Sequence, residues 1–380
     1  MSSTWEENPQ SALRMQNAPP AVDPRNPFDN QMENVSYRTD YRRIQPAVGV
    51  PGYQLPLYPD KMERRGIRKC FNDAGLWVIL VLVAEQIIFV ILLAIVLLGM
   101  GVSMADYFTD DAVYDYLNES SIYITLNALL FTCVNVLAAY GGCRYTHTPV
   151  KSLFQTENLN VSTVLRYICT AIGIQMAASI VYTWIYSIAS DAGTDLVEAD
   201  FDYFDTGKST LMVVLYTCVL APITEEFFYR GFLQKNLSRV SARFGIVVTA
   251  LLFGLAHGNV SQFLLGFLLG LYLGKITERH NSIVPSIWVH IGVNSSSMIL
   301  SLIEAYWTTE VGEIVLGFAV MAYYTIAILG ICFWFWKERK QPMPYPTQEQ
   351  STRNHVFWSS PLLLIAFALD IVILLMNQFA

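Results

Sequence analysis

The sequence predicts an all-α fold: a polytopic transmembrane helical bundle of about eight to nine spans, preceded by a disordered N-terminal tail. Three observations predict it. Hydrophobic residues make up 53% of the chain and charged residues only 14%, well below the roughly 25% charge of a soluble domain. Apolar runs recur at bilayer length, a helix needing about 20 such residues to cross at about 1.5 Å each. The connections between these runs alternate in charge, as the cytoplasmic excess of Lys and Arg requires.

The elements follow in order. Residues 1–60 are polar and rich in Pro, Asn and Gln. They hold no apolar core near the start, which argues against a secretory signal. They carry too little apolar surface to offset the entropy of ordering. A polar cytoplasmic tail is therefore drawn over residues 1–70. Spans are predicted near 75–100, 121–143, 163–189, 209–233, 243–257, 261–276, 283–303, 313–336 and 357–379. The fifth and sixth are short, so they are expected to be tilted, re-entrant or longer than drawn.

Charge placement supports the count. Lys61, Arg64, Arg65, Arg68 and Lys69 precede the first span, and Asp106, Asp110, Asp111, Asp115 and Glu119 follow it. Arg144, Lys151 and Arg166 come next, then Asp191, Asp195, Glu198, Asp200, Asp202 and Asp205 against one base, Lys208. Lys235, Arg239 and Arg243 follow the fourth span, Lys275 and Arg279 the sixth. Glu304, Glu310 and Glu313 follow the seventh, and Lys337, Arg339, Lys340 and Arg353 the eighth. This alternation predicts a cytoplasmic N-terminus and an external C-terminus. The net charge of -7 conceals that segregation. No domain-wide basic patch exists, so no nucleic-acid partner is expected. The six cysteines fall within spans or at cytoplasmic helix ends and include no C-x-x-C pair. They imply neither a disulfide framework nor a cysteine zinc site.

Ionisable groups inside a bilayer are costly and need a reason. In Pro222-Ile223-Thr224-Glu225-Glu226-Phe227-Phe228-Tyr229-Arg230, Glu226 and Arg230 sit four apart on one helical face and can pair. Glu225 is rotated about 100° away on an ideal helix, which leaves it the free carboxylate. Pro222 lacks a backbone donor, so an irregularity beside Glu225 is expected. The same residues could also be a salt-bridge knot between helices. His257 follows an apolar run with Phe253 one turn earlier; alone it could be a structural histidine at a helix end. His290 and Asn294, four apart, lie side by side. They suit an oxyanion-binding pair and a structural contact between helices equally. Glu85 and Asp370 lie well inside their spans, as substrate or gating groups or as neutral acids bonded to another helix. Gly266, Gly270 and Gly274 recur every four residues, a spacing that lets helix backbones approach closely.

Glu225-Glu226 with Arg230, Phe253 with His257, and His290 with Asn294 occur in this order, flanked by Tyr229-Arg230-Gly231 and by Ile283-Val284-Pro285-Ser286-Ile287. This set resembles the CPBP family of intramembrane proteases, also called the type II CAAX prenyl endopeptidase or Abi family. The resemblance spans about a quarter of the chain and implies a glutamate-dependent intramembrane endopeptidase. It implies that Glu225 and His257 activate water, that His290 and Asn294 stabilise the oxyanion, and that Glu226 and Arg230 support the geometry. No cofactor and no metal are expected. The expected partners are a membrane-embedded or lipid-associated peptide substrate and the lipid bilayer. The expected location is the cell membrane of a bacterium. The chain then divides into the tail at 1–70, N-terminal transmembrane helices at 71–206, a catalytic core at 207–303 and C-terminal transmembrane helices at 304–380. Two alternatives stand beside it. Glu225, His257 and His290 could form a zinc hydrolase site, although no H-E-x-x-H motif exists. The polar network could also serve a non-catalytic membrane scaffold or immunity protein.

Overall fold

A computed structural model describes residues 57–109, 113, 117, 120–156, 159–194, 196, 207–340, 345–346 and 348–379. The tail residues 1–56 and the acidic residues Asp110, Asp111, Asp115, Glu119, Asp195, Glu198, Asp200, Asp202 and Asp205 lie outside them. Among the described residues all regular structure is helical. The main helices are α1 (Lys61–Met100), α2 (Ser121–Tyr145), α3 (Val161–Asp191), α4 (Thr210–Leu237) and α5 (Ala242–Leu255). They continue as α6 (Val260–His280), α7 (Val284–Tyr306), α8 (Glu310–Glu338) and α9 (Pro361–Phe379). The chain is an integral multi-pass membrane protein: eight of these helices are long and apolar enough to cross a bilayer.

One expectation needs correction, and another is sharpened. The tail does not extend to residue 70, because α1 begins at Lys61. Asp60 caps it by accepting the Glu63 N–H at 2.8 Å. The fifth span is also shorter than a crossing. α5 has 14 residues, about 21 Å against a hydrocarbon core of about 30 Å. It pairs with α6 as an antiparallel hairpin, Gly254 meeting Phe263 and Phe267, Ala250 meeting Gly270, and Ile246 meeting Gly274.

Local chemistry sets the helix ends. Side chains of Ser120, Asn160, Ser241, Asn259 and Thr309 accept from backbone N–H groups in the first turns of α2, α3, α5, α6 and α8. α1 stops at Gly101, whose φ of 71° few other residues tolerate, and Val102 N–H then closes on the Leu97 carbonyl at 3.0 Å. Small residues mark the crossings. Gly173 faces Ala327 and Ile331, and Gly330 faces Cys169 and Thr170, joining α3 to α8 antiparallel. Gly75 of α1 lies against Leu362 and Leu363 of α9. Outward faces stay apolar, as at Leu98, Trp184 and Phe318, a surface suited to lipid.

α4 departs from regular α-geometry. Tyr216–Leu220 and Glu226–Gln234 are π-helical and flank an α-helical turn at Ala221–Glu225. Ala221 N–H bonds the Tyr216 carbonyl, five residues back. The next donor in that register would serve Thr217, but it belongs to Pro222 and does not exist. The irregularity expected beside Glu225 is thus present on both sides of it.

Candidate active site

The polar residues of α4 gather against α5, α6 and α7. Arg230 Nη1 lies 2.8 Å from Glu226 Oε1, and both side chains are almost wholly buried. The pair is ion-paired by distance rather than by a well-aligned hydrogen bond. The guanidinium also sits over the Phe253 ring, 4.2 Å from its centroid, a favourable cation–π geometry. Glu226 is therefore the committed carboxylate, as its spacing from Arg230 predicts. Glu225 points elsewhere, and 23% of its side chain is exposed.

His290 joins the two glutamates. Its Nδ1 donates to Glu226 Oε1 at 3.1 Å, and its Nε2 lies 3.7 Å from Glu225 Oε2. Two carboxylates thus face one imidazole. With a proton on Nδ1, the neutral ring offers Glu225 only a lone pair. The Nε2 approach is attractive when one further proton sits on the ring or on Glu225.

His257 stands apart. Its Nδ1 donates to the Phe253 carbonyl at 2.7 Å, an oxygen that can only accept, so Nε2 of the neutral ring carries the lone pair. Among the described residues it makes no ion pair with Glu225. The Phe253 ring meets both imidazoles edge-on, its centroid 4.9 Å from that of His257 and 5.8 Å from that of His290. Asn294 also takes a place that its spacing does not reveal. Its Nδ2 donates to the Thr217 carbonyl at 2.9 Å, the acceptor that Pro222 leaves without a partner. One of its two amide hydrogens is thereby used, and one remains.

The glycines of α6 do more than pack. A methyl on Gly266 would stand 3.4 Å from His257 Nδ1, on Gly270 3.3 Å from Arg230 Nη2, and on Gly274 2.8 Å from Gln234 Oε1. The stripe opens space for three polar side chains while meeting α5. Gln234, which donates to the Gly274 carbonyl at 2.9 Å, escapes sequence reading, as does the wedge made by Phe253. The available signal is that Gln234 follows Arg230 by four residues, the same step as the glycines.

This arrangement lies within residues 207–296, which match the family model of type II CAAX prenyl endopeptidase Rce1-like proteins. Residues 207–296 form an Rce1-like domain. The Rce1-like family is one of membrane CAAX-type proteases, so the match indicates a membrane protease, a hydrolase. It covers α4 to the middle of α7 and leaves α1–α3, α8 and α9 outside. No curated protein and no solved structure matches the chain. Among the described residues no group of three or more His, Cys, Asp or Glu side chains is placed so that it could hold a metal ion.

Proposed function

We propose that the protein is a glutamate-dependent intramembrane endopeptidase that hydrolyses a peptide bond of a membrane-associated or hydrophobic peptide. The observation that carries this reading is His290 set between a buried, paired Glu226 and a partly exposed Glu225. Glu226, fixed by Arg230, accepts from Nδ1 and orients the ring, as a carboxylate orients a catalytic imidazole elsewhere. The ring, protonated at both nitrogens, then presents Nε2–H to the carbonyl oxygen that becomes the oxyanion. The remaining N–H of Asn294 is the second candidate donor. A single such donor contributes about 3–4 kcal/mol in a water-poor site.

Glu225 takes a proton from water as the hydroxide adds to the peptide carbonyl. His257, with Nε2 as acceptor, is the second group able to receive or hold that proton. Collapse of the tetrahedral intermediate breaks the C–N bond, and the proton held on Glu225 passes to the leaving amine. This step requires Glu225 and His257 to share one water molecule. The charge alternation supports a cytoplasmic N-terminus.

Replacing Glu225 by Gln removes the proton acceptor while keeping its shape. Turnover is expected to fall by about 10²–10⁴-fold, with an unchanged melting midpoint. A quantitative comparison of membrane peptides from cells carrying the wild-type or the Glu225→Gln protein reads this out and names the substrate. Equal peptide profiles would remove Glu225 from the mechanism.

A further inference from the structure

His257 stands just past the end of α5, and the residues after it turn the chain into α6. Gly258 makes the turn at a φ of 70°, a region that favours glycine. The first N–H groups of α6 have no partner within that helix. Asn259 accepts the Gln262 N–H at 2.8 Å and donates to the His257 carbonyl at 3.3 Å. The Val260 N–H finds its partner outside the hairpin: it donates to Gln378 Oε1 of α9 at 3.3 Å.

α9 lies outside residues 207–296. It runs alongside α5 in the same direction. Just before α9, Phe357 meets Phe244 near the start of α5, their ring centroids 6.0 Å apart. At the other end, a methyl on Gly258 would stand 2.7 Å from Asn377 Nδ2 and 3.9 Å from Ile373. The chain climbs about 20 Å from Phe244 to His257 and about 24 Å from Pro361 to Asn377, so the two segments reach the turn at matching height.

Gln378 is 2% exposed. Its Nε2 has no hydrogen-bond partner among the described residues, so its side chain is committed to Val260 through Oε1. The His257 ring lies against Gly266 of α6 and bonds the Phe253 carbonyl of α5 at 2.7 Å. Its place depends on how the two helices meet at their tip, and α9 holds that tip.

We propose that Gln378 is a positioning residue: by holding the Val260 N–H it fixes the turn that carries His257, and α9 thereby completes the site from outside the Rce1-like domain. This role rests on the peptidase reading of His257.

Two substitutions cut the same bond from opposite sides. Gln378→Met removes the acceptor and keeps the length of the side chain. Val260→Pro removes the donor. Val260 is the first residue of α6, and Asn259 before it is extended, at φ -141° and ψ 157°, so proline fits there. Each full-length variant is followed in detergent by hydrogen exchange of residues 256–262, read by mass spectrometry. In cells it is followed by the membrane peptides whose release depends on Glu225. Exchange in that segment is expected to rise about tenfold, with an unchanged melting midpoint. The Glu225-dependent peptides should fall about 10–100-fold, the penalty for a reacting group displaced by about 1 Å. The double variant should be no worse than either single one, an outcome that a general packing role would not produce. Should one variant fail to fold, the other carries both measurements.

Unchanged exchange at 256–262, effects that add in the double variant, or exchange that rises throughout α9 overturns the positioning role. Faster local exchange with Glu225-dependent peptides at the wild-type level also overturns it and leaves the peptidase standing. Equal peptide profiles for wild-type and Glu225→Gln protein sink the peptidase reading instead, while faster local exchange would still establish the bond from α9 to the turn.

Discussion

Glu226 and Asp370 are both buried carboxyls on membrane-spanning helices, and the protein holds them in opposite ways. Glu226 has Arg230 at 2.8 Å and His290 at 3.1 Å. Asp370 has no hydrogen-bond partner on either oxygen. The first lies inside the Rce1-like domain and the second outside it. A satisfied buried charge fixes geometry, and its loss exposes the partner's desolvation cost. An unsatisfied carboxyl fixes no neighbour. The difference separates a carboxyl that holds two helices in register from one that makes no hydrogen bond.

Breaking the satisfied side should have the largest effect. Arg230→Met leaves Glu226 buried without its counter-charge and should cost about 3–5 kcal/mol. The melting midpoint in detergent measures it, and adding Glu226→Gln should recover part of the loss. A stable Arg230→Met protein would mean that His290 alone neutralises Glu226.

Asn294→Leu comes next. It strands the Thr217 carbonyl that Pro222 already leaves without a backbone partner, at a cost of about 1–3 kcal/mol. Melting should therefore fall together with turnover. Lost turnover with unchanged melting would assign Asn294 to the oxyanion instead of to the helix junction.

Gly270→Ala tests the room beside Arg230. The added methyl would meet Ala250 at 3.1 Å and Arg230 Nη2 at 3.3 Å. Overpacking outweighs the helix-propensity gain, for a net loss of about 1 kcal/mol by melting. The smallest effect belongs to the unsatisfied side. Asp370→Asn removes no contact and should change stability by less than about 1 kcal/mol. A large loss would reveal an ion pair and end the contrast with Glu226.

Much of this contrast was legible in the sequence where it depended on neighbours along one helix. The step from Glu226 to Arg230 predicts their pairing, and Pro222 predicts the break in helical register beside Glu225. The family motif draws Glu225, His257, His290 and Asn294 into one set. The motif does not tell how they meet. That His290 meets both glutamates, that Asn294 turns to Thr217, and that Phe253 meets both imidazoles depend on side chains from different helices. The step of four between Gly266, Gly270 and Gly274 predicts close packing but not which polar groups occupy the space.

The sequence by itself determined the helical membrane architecture, the charge alternation of its connections and the set of candidate reactive groups. These follow from composition and from periodicities of a few residues, which act locally along the chain. The tertiary structure decided that α5 is too short to cross, that His290 bridges two carboxylates, and that Asp370 is buried with no hydrogen-bond partner. Those outcomes depend on how far apart helices pack and at what height they cross, and no short-range pattern in a single chain encodes that.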